Sequence, residues 1–224
     1  MRSALQVSSL CLLATLVAPA WGNGGGSMPA PPPRVQTPQD KARDAYNDGV
    51  HDVKKADRAL SDSASASDAG RRQKGAQEAH DLYASAHAKF GAATQLDPSM
   101  PEAWNYLGYT GRKLGNYDEA LAAYGKALAL KPGYADALEY RGEAYLGLNR
   151  VPDAQQAYLD LYAGNRQLAA KLLAAMKGWV AAQRASPTAT SASLDELDKW
   201  IQERAQIAGQ TAALTRAGTQ AAWH

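Results

Sequence analysis

Cysteine, phenylalanine and an excess charge of either sign are scarce in this chain of 224 residues. Cys11 is the only cysteine and Phe90 the only phenylalanine. β-Branched residues are also few while alanine is abundant, so the composition favours helices over sheets. Lys and Arg (24) nearly balance Asp and Glu (22). The chain therefore lacks the basic excess that a general nucleic-acid binder needs, and we expect no nucleic-acid partner.

No segment after the first twenty residues contains about eighteen apolar residues without a charge, so we expect no transmembrane helix. The apolar stretch Leu10–Val17, interrupted only by Thr15, is too short to span a bilayer. It follows Arg2 and precedes Ala18-Pro19-Ala20, which has the form of a signal-peptidase site. We therefore expect a signal peptide over residues 1–20 and export to a bacterial periplasm or cell envelope. An uncleaved anchor and a disordered tail are the alternatives.

Export with cleavage would remove Cys11 and leave a chain that can form neither a disulfide nor a thiolate metal site. Lipidation of Cys11 is not expected, because Leu10 before it is not small. His80 and His87 are two helical turns apart, about 10 Å, too far to share one metal ion unaided. The sequence has no phosphate-binding loop, nucleophile elbow or H-E-x-x-H motif. We expect no enzyme activity, no cofactor and no metal site.

Residues 21–37 are rich in glycine and proline and read as a flexible linker. Thr37 and Pro38 have the N-cap and first-position types of a helix, and apolar spacing continues that helix to about residue 61. Ser61–Ala69 is polar and Ser-rich, which predicts a loop. A second, uninterrupted helix is expected over residues 70–97, antiparallel to the first because the connection is short.

From residue 96 onward the sequence repeats with a period of 34, the length of a helix-turn-helix array. Residues of the same type recur at this offset in six pairs. They are Leu96 and Leu130, Pro98 and Pro132, Ala103 and Ala137, Gly108 and Gly142, Ala120 and Ala154, and Tyr124 and Tyr158.

Residues 101–134 resemble a tetratricopeptide repeat, and residues 135–168 resemble a second one. The first unit matches through Trp104, Leu107, Gly108, Tyr117, Ala120, Tyr124, Ala127 and Pro132. In the second unit Leu161 replaces a small residue and Arg166 replaces the closing proline, so its second helix is expected to end differently. An apolar stripe then predicts a further helix that caps the stack. Its members are Leu168, Leu172, Leu173, Met176 and Val180.

These observations predict an all-α fold, a short tetratricopeptide-like helical solenoid with a long N-terminal helical hairpin and C-terminal capping helices. The helical domain is expected over residues 38–184. A second linker follows at residues 185–192, and a final helix at 193–224 begins with a capping box at Ser193. The apolar stripe of this last helix does not indicate what it packs on.

The resemblance implies a protein- or peptide-binding groove on the first helix of each repeat. Its exposed positions would be Asn105, Tyr109, Arg112, Glu139 and Glu143. Two carboxylates there would repel an acidic ligand, so a basic or amide group is expected instead. Four alternatives remain: these are solvated helix faces, the last helix fills the groove, the chain self-associates through that helix, or an unrecognised active site exists.

Overall fold

The computed structural model describes residues 35–186 and 191–221, and within the last helix it describes side chains for residues 193–214. Every regular element in these ranges is a helix. The expected signal peptide, most of the first linker and residues 187–190 of the second linker lie outside the described residues. The helices are α1 Pro38–Ser65, α2 Ala69–Leu96, α3 Pro101–Lys113, α4 Tyr117–Leu130, α5 Ala135–Gly147, α6 Val151–Gly164, α7 Arg166–Arg184 and α8 Ser191–Ala221.

Helix α1 begins where the sequence predicts but continues past the predicted end at residue 61. At its start, Thr37 and Asp40 form a reciprocal capping box, with Pro38 in the first turn. The expectation of a loop over Ser61–Ala69 is wrong for its first five residues, because the helix runs to Ser65, and is confirmed for residues 66–68. The hydroxyl of Ser63 donates to the carbonyl of Leu60, which satisfies it within the helix. Tertiary contact with α2 therefore outweighs the weak helix propensity of serine.

Helices α1 and α2 form the predicted antiparallel hairpin, and α2 is uninterrupted. The tyrosine hydroxyl of Tyr83 reaches Asp57, and nearer the tip Gly75 faces Ser63 so closely that a Cβ on the glycine would lie 2.6 Å from the Ser63 Cβ. Residues farther along α1 thus contact residues nearer the start of α2, as in an antiparallel pair. Asp68 caps the start of α2 by accepting from the backbone N–H of Arg71.

The hairpin of α1 and α2 has the same contact between a glycine and an aromatic ring as a repeat unit, but its helices are longer. A Cβ on Gly49 would meet the Phe90 ring at 2.8 Å, and a Cβ on Gly108 would meet the Tyr124 ring at 2.6 Å. Both glycines let a second helix place an aromatic ring against the first helix. Gly49 precedes Phe90 by 41 residues, whereas Gly108 precedes Tyr124 by 16. The extra 25 residues lengthen the hairpin toward its tip.

Helices α3 to α6 repeat with the 34-residue register that the sequence predicts. The expectation that α6 would end differently from α4 is wrong at its last residue, since Gly164 corresponds to Leu130. The difference follows after that point: Asn165 alone separates α6 from α7, and its side chain caps α7 by accepting from Leu168 N–H. Asn165 alone thus connects α6 to α7, whereas four residues connect α4 to α5.

Equivalent turns join the helices within each repeat. Gly115 has φ +83° and Asn149, 34 residues later, has φ +58°. This left-handed conformation is favoured by glycine and tolerated by asparagine. The residue after each donates its backbone N–H to a carbonyl of the preceding helix, Asn116 to Gly111 and Arg150 to Tyr145, both at 2.8 Å.

Helix α7 caps the stack by packing across both α5 and α6. A Cβ on Gly142 would lie 2.5 Å from Cδ2 of Leu172, so α7 supplies the side chain that closes against this glycine. The stripe predicted for α7 faces the core, with Leu172, Met176 and Val180 buried. Helix α8 follows α7, with Leu197 and Ile201 in the same core cluster. No helix in the described ranges is long and apolar enough to cross a membrane.

Candidate functional site

The first helices of successive hairpins, α1, α3, α5 and α7, lie in sequence and contact one another. Between them the structure brings together four of the five predicted site residues. Tyr109 and Arg112 come from α3, and Glu139 and Glu143 come from the equivalent turns of α5. We call this surface the tyrosine groove, because Tyr83, Tyr109 and Tyr140 form its aromatic row.

Three tyrosine rings from three helices form this row. The ring centroids of Tyr83 and Tyr109 are 6.2 Å apart, and those of Tyr109 and Tyr140 are 5.0 Å apart. The Arg112 guanidinium lies over both Tyr109 and Tyr140, 5.4 and 5.5 Å from their centroids. The Lys113 ammonium lies over Tyr83 and Tyr109. Cations held on aromatic faces fix the side chains of the row, in which Tyr83 is buried and Tyr109 and Tyr140 are partly exposed.

Asp57 on α1 joins the row to the N-terminal hairpin. Its carboxylate accepts a hydrogen bond from Tyr83 at 2.5 Å and another from Tyr109 at 2.9 Å. Burial, together with Asp57, raises the pKa of both tyrosines. Both phenols therefore remain protonated donors at neutral pH. The elongated hairpin is thus joined to α3 by the hydrogen bond from Tyr109 to Asp57.

Ion pairs join α3 to α5 and α5 to α7 along the groove. Arg112 Nη1 lies 2.5 Å from a carboxylate oxygen of Glu143, and Lys171 Nζ lies 3.0 Å from one of Glu139. Each predicted carboxylate is thus paired with a cation of a neighbouring helix. The expectation that these two glutamates repel acidic ligands is not supported by this geometry, because their charges are offset within the chain.

Two of the five predicted site residues are buried, so the expectation that all five are solvent-accessible is wrong. Glu139 has no exposed surface and Asn105 is 2% exposed. Glu139 is covered because α7 packs across α5. Asn105 has a short side chain on α3, which packs against α1, α2, α4 and α5. Tyr109, Arg112 and Glu143 are partly exposed and lie at the surface of the groove.

Helix α8 does not fill the groove within its described residues. It contacts α7, and its side chains reach α6 through the ring pair of Trp200 and Tyr158, 5.3 Å apart. Neither Tyr109 nor Glu143 contacts it. The tyrosine groove is therefore not the packing surface of the described part of the last helix.

Sequence reasoning missed four residues of the groove. Tyr140 lies next to Glu139 and carries no separate signal in the repeat pattern. Lys171 lies in the capping helix, outside both recognised repeats. Asp57 lies on α1, where the extra residues of the hairpin break the 34-residue register, and Tyr83 lies on α2, a second helix, 34 residues before Tyr117.

The buried carboxyl of Glu139 carries the main titration in this region. Burial, followed by the hydrogen bond and charge of Glu143, raises the pKa of Glu139 from its ordinary 4.5 to about 7, although Lys171 acts in the opposite direction. Near neutral pH a proton can therefore reside on this carboxyl in the folded chain. In the described part of the chain, no three His, Cys, Asp or Glu side chains are grouped to hold a metal ion.

A pH dependence of stability follows from this raised pKa. Between about pH 4.5 and 7 the folded chain retains a proton that the unfolded chain has released, so stability falls as the pH rises. Glu139→Gln keeps a neutral group at this position. As the pH rises from 5 to 8, we expect the free energy of unfolding of the variant to increase by about 2 kcal/mol relative to that of the parent. Chemical unfolding at several pH values measures this gain.

Glu203→Gln is the control for that pH series. Glu203 is an exposed carboxylate on α8, so its substitution should leave the parent's pH dependence unchanged. If the stability curves of Glu139→Gln and the parent stay parallel across this pH range, Glu139 does not hold the proton.

Comparison with known families agrees with this architecture. Residues 74–133 and residues 111–170 match the tetratricopeptide repeat family model. The matched region is a tetratricopeptide-like helical array. The first match begins inside α2 and includes α3 and α4, and the second includes α4, α5 and α6. Both repeat hairpins and most of α2 thus lie within the matched residues.

The similarity to tetratricopeptide repeats also shows on which repeat helices the residues of the tyrosine groove lie. Tyr109 and Arg112 lie on the first helix of one repeat, and Glu143 lies on the first helix of the next. Successive first helices in such an array form one continuous face. Repeats of the matched family are typical of protein-binding scaffolds.

Proposed function

We propose that this protein is a non-catalytic repeat scaffold that binds a protein or peptide segment in the tyrosine groove. The partly exposed rings of Tyr109 and Tyr140, which pack beside the buried ring of Tyr83, are the observation that carries the proposal. Aromatic rings anchor binding surfaces with little loss of conformational freedom, since they have few rotatable bonds. Ion pairs on both sides hold the rings in place before a ligand arrives, which lowers the entropic cost of binding.

The groove favours a ligand of mixed character over one with a basic or amide group, which the sequence suggests. Glu139 is buried and paired, whereas Lys113 is exposed and has no carboxylate within ion-pair distance in the described part of the chain. Lys113 also lies over two rings of the row. A peptide that offers an acidic group next to an apolar or aromatic side chain would match this arrangement by charge and by contact.

We further propose that this binding takes place after export, in the bacterial periplasm or cell envelope. The support is the N-terminal pattern of Arg2, the short apolar stretch and Ala18-Pro19-Ala20. The lack of any cysteine after Cys11 fits an oxidising compartment, because such a chain forms no disulfides. Finding the untagged protein in a periplasmic or membrane fraction, shortened at its N-terminus, tests this part.

Reversing the charge of Lys113 should weaken partner capture without unfolding the protein. Lys113 is exposed, so Lys113→Glu leaves the buried packing of α3 intact while opposing an acidic ligand group. We expect capture from an envelope extract of the source organism to fall by about tenfold, the effect of one lost charge contact of moderate strength. Quantitative mass spectrometry of the captured proteins measures the change.

Lys126→Glu is the matched control, because Lys126 is an exposed lysine on α4, the second helix of the same repeat. Circular dichroism should show the parent's helicity for both variants. Partners captured equally by the parent and by Lys113→Glu do not bind at the groove. If all captured partners behave so, the groove is not the binding site.

Self-association through α8 is a second candidate, and one observation favours it. Ile207 and Leu214 are 41% and 73% exposed on this helix. Deleting residues 193–224 is a poor test, because it would also remove Leu197 and Ile201 from the core. The mass of the parent and of Ile207→Gln by light scattering, over a range of concentrations, separates self-association from binding by a monomer.

A further inference from the structure

A second cleft, separate from the tyrosine groove, lies among α6, α7 and α8 and has a volume of about 600 Å³. Two rows of alanines form its walls, and we call it the alanine cleft. One row lies on α7 and the other on α8, each at helical spacing along one face. The wall residues are Ala170, Ala174, Ala205, Ala208 and Ala212.

The cleft exists because α8 packs tightly only along its first half. There Leu197 and Ile201 are buried in the core and Trp200 contacts Tyr158. Farther along, the facing side chains are alanines too small to fill the space between the helices. A hydrogen bond of 3.3 Å from the Tyr162 hydroxyl to Thr211 spans this region. Most of the wall alanines are exposed, so the cleft is open to solvent.

The cleft has an apolar floor, and its charged lining residues are all cationic. Its floor is apolar, with Leu173 and Ile201 beside the stacked rings of Tyr158 and Tyr162, whose centroids are 5.7 Å apart. No carboxylate lines it. Its charged lining residues are Arg166 and Lys177, both on α7 and both exposed. Neither has a carboxylate within ion-pair distance among the described residues.

Spacing along α7 gives the length of the cleft. Arg166 and Lys177 are eleven residues apart, which corresponds to about 16 Å along the helix axis. The Arg166 guanidinium lies 5.3 Å from the Tyr162 ring centroid. The lining thus combines a long apolar trough with a cation at each end and an aromatic floor beneath one of those cations.

We propose that the alanine cleft binds a fatty acid, with the carboxylate at Arg166 and the acyl chain along the alanine walls. A guanidinium binds a carboxylate through two parallel hydrogen bonds, which favours Arg166 over Lys177 for the head group. The volume falls within the range of small-ligand pockets, about 300–1,000 Å³. The site is independent of the scaffold function proposed above.

Titration of the full chain with laurate, below the concentration at which laurate forms micelles, tests the proposal by calorimetry. Saturable binding of one laurate per chain is the expected result. Arg166→Ala should weaken it by about tenfold, the loss of one charge-assisted contact. Lys199→Ala removes an exposed lysine of α8 that does not line the cleft, and it should bind as the parent does. Lauryl alcohol, which lacks the carboxylate, should bind more weakly than laurate.

Filling the cleft with a larger side chain provides a second test of the proposal. Ala174→Trp should abolish laurate binding, whereas Ala182→Trp, at an exposed α7 position outside the cleft, should not. Circular dichroism of both variants identifies any unfolding, and the Arg166→Ala comparison decides the question if Ala174→Trp unfolds. Absence of saturable binding, or equal binding by the parent and Arg166→Ala, would overturn the proposal. So would a concentration-dependent dimer that Ala174→Trp abolishes while laurate does not bind, since the cleft would then join two copies of the chain.

Discussion

Replacing Tyr124 with alanine is expected to lower the free energy of unfolding by about 3 kcal/mol, the usual cost of deleting a large buried aromatic side chain. Tyr124 has no exposed surface and lies in a cluster with Ala120, Ala127 and Ala137. Its ring also closes against Gly108 on the facing helix. Alanine would leave a cavity there, and the rigid helices on either side can collapse into it only in part.

Urea unfolding followed by circular dichroism measures this loss, and Tyr124→Phe is the matched control. Phenylalanine keeps the ring and removes only the hydroxyl, so the control should cost under about 1 kcal/mol. A loss below about 0.5 kcal/mol for the alanine variant would be the cost of a surface substitution. Such a result would contradict the burial of Tyr124.

Gly142→Ala is expected to destabilise the fold by about 2 kcal/mol, although alanine is the better helix former. The added Cβ would lie 2.5 Å from Cδ2 of Leu172, which is fully buried. Steric overlap therefore exceeds the gain in helix propensity. Relief of this overlap should make the double variant Gly142→Ala/Leu172→Ala more stable than the sum of its single changes predicts.

Gly178→Ala provides the opposite expectation within the capping helix. Gly178 lies inside α7, and no heavy atom would come within 4 Å of its added Cβ. We expect a gain of about 0.5–1 kcal/mol from helix propensity alone. Thermal and urea unfolding of both glycine variants compares the two effects. Equal stabilisation at Gly142 and Gly178 would show that α7 does not close against α5.

The repeat hairpins were predictable because each depends on local pattern. The 34-residue spacing gave the register of α3 to α6, and the apolar stripe through Leu172 and Val180 gave the buried face of α7. The Ser-rich segment after residue 61 shows the limit of this reasoning. Its weak propensity predicts a loop, yet packing against α2 extends α1 to Ser65.

The candidate groove was predictable only in part. Helical spacing placed Tyr109 and Arg112 on one face, and the repeat offset placed Glu143 beside them. The same spacing could not show that α7 covers Glu139, because Lys171 comes 32 residues later and belongs to neither recognised repeat. Nor could it show that Asp57 reaches Tyr109 across 52 residues.

By itself, the sequence determined the helical class and the repeat length. These depend on side-chain periodicity and capping, which act within a few residues of the chain. Only the tertiary structure decided which groove residues are exposed, which charges are paired, and that Gly49 and Phe90 form the interior of an elongated first unit. Those properties depend on distances between helices far apart in the sequence, and an insertion or a one-residue connection changes such distances without altering the local pattern.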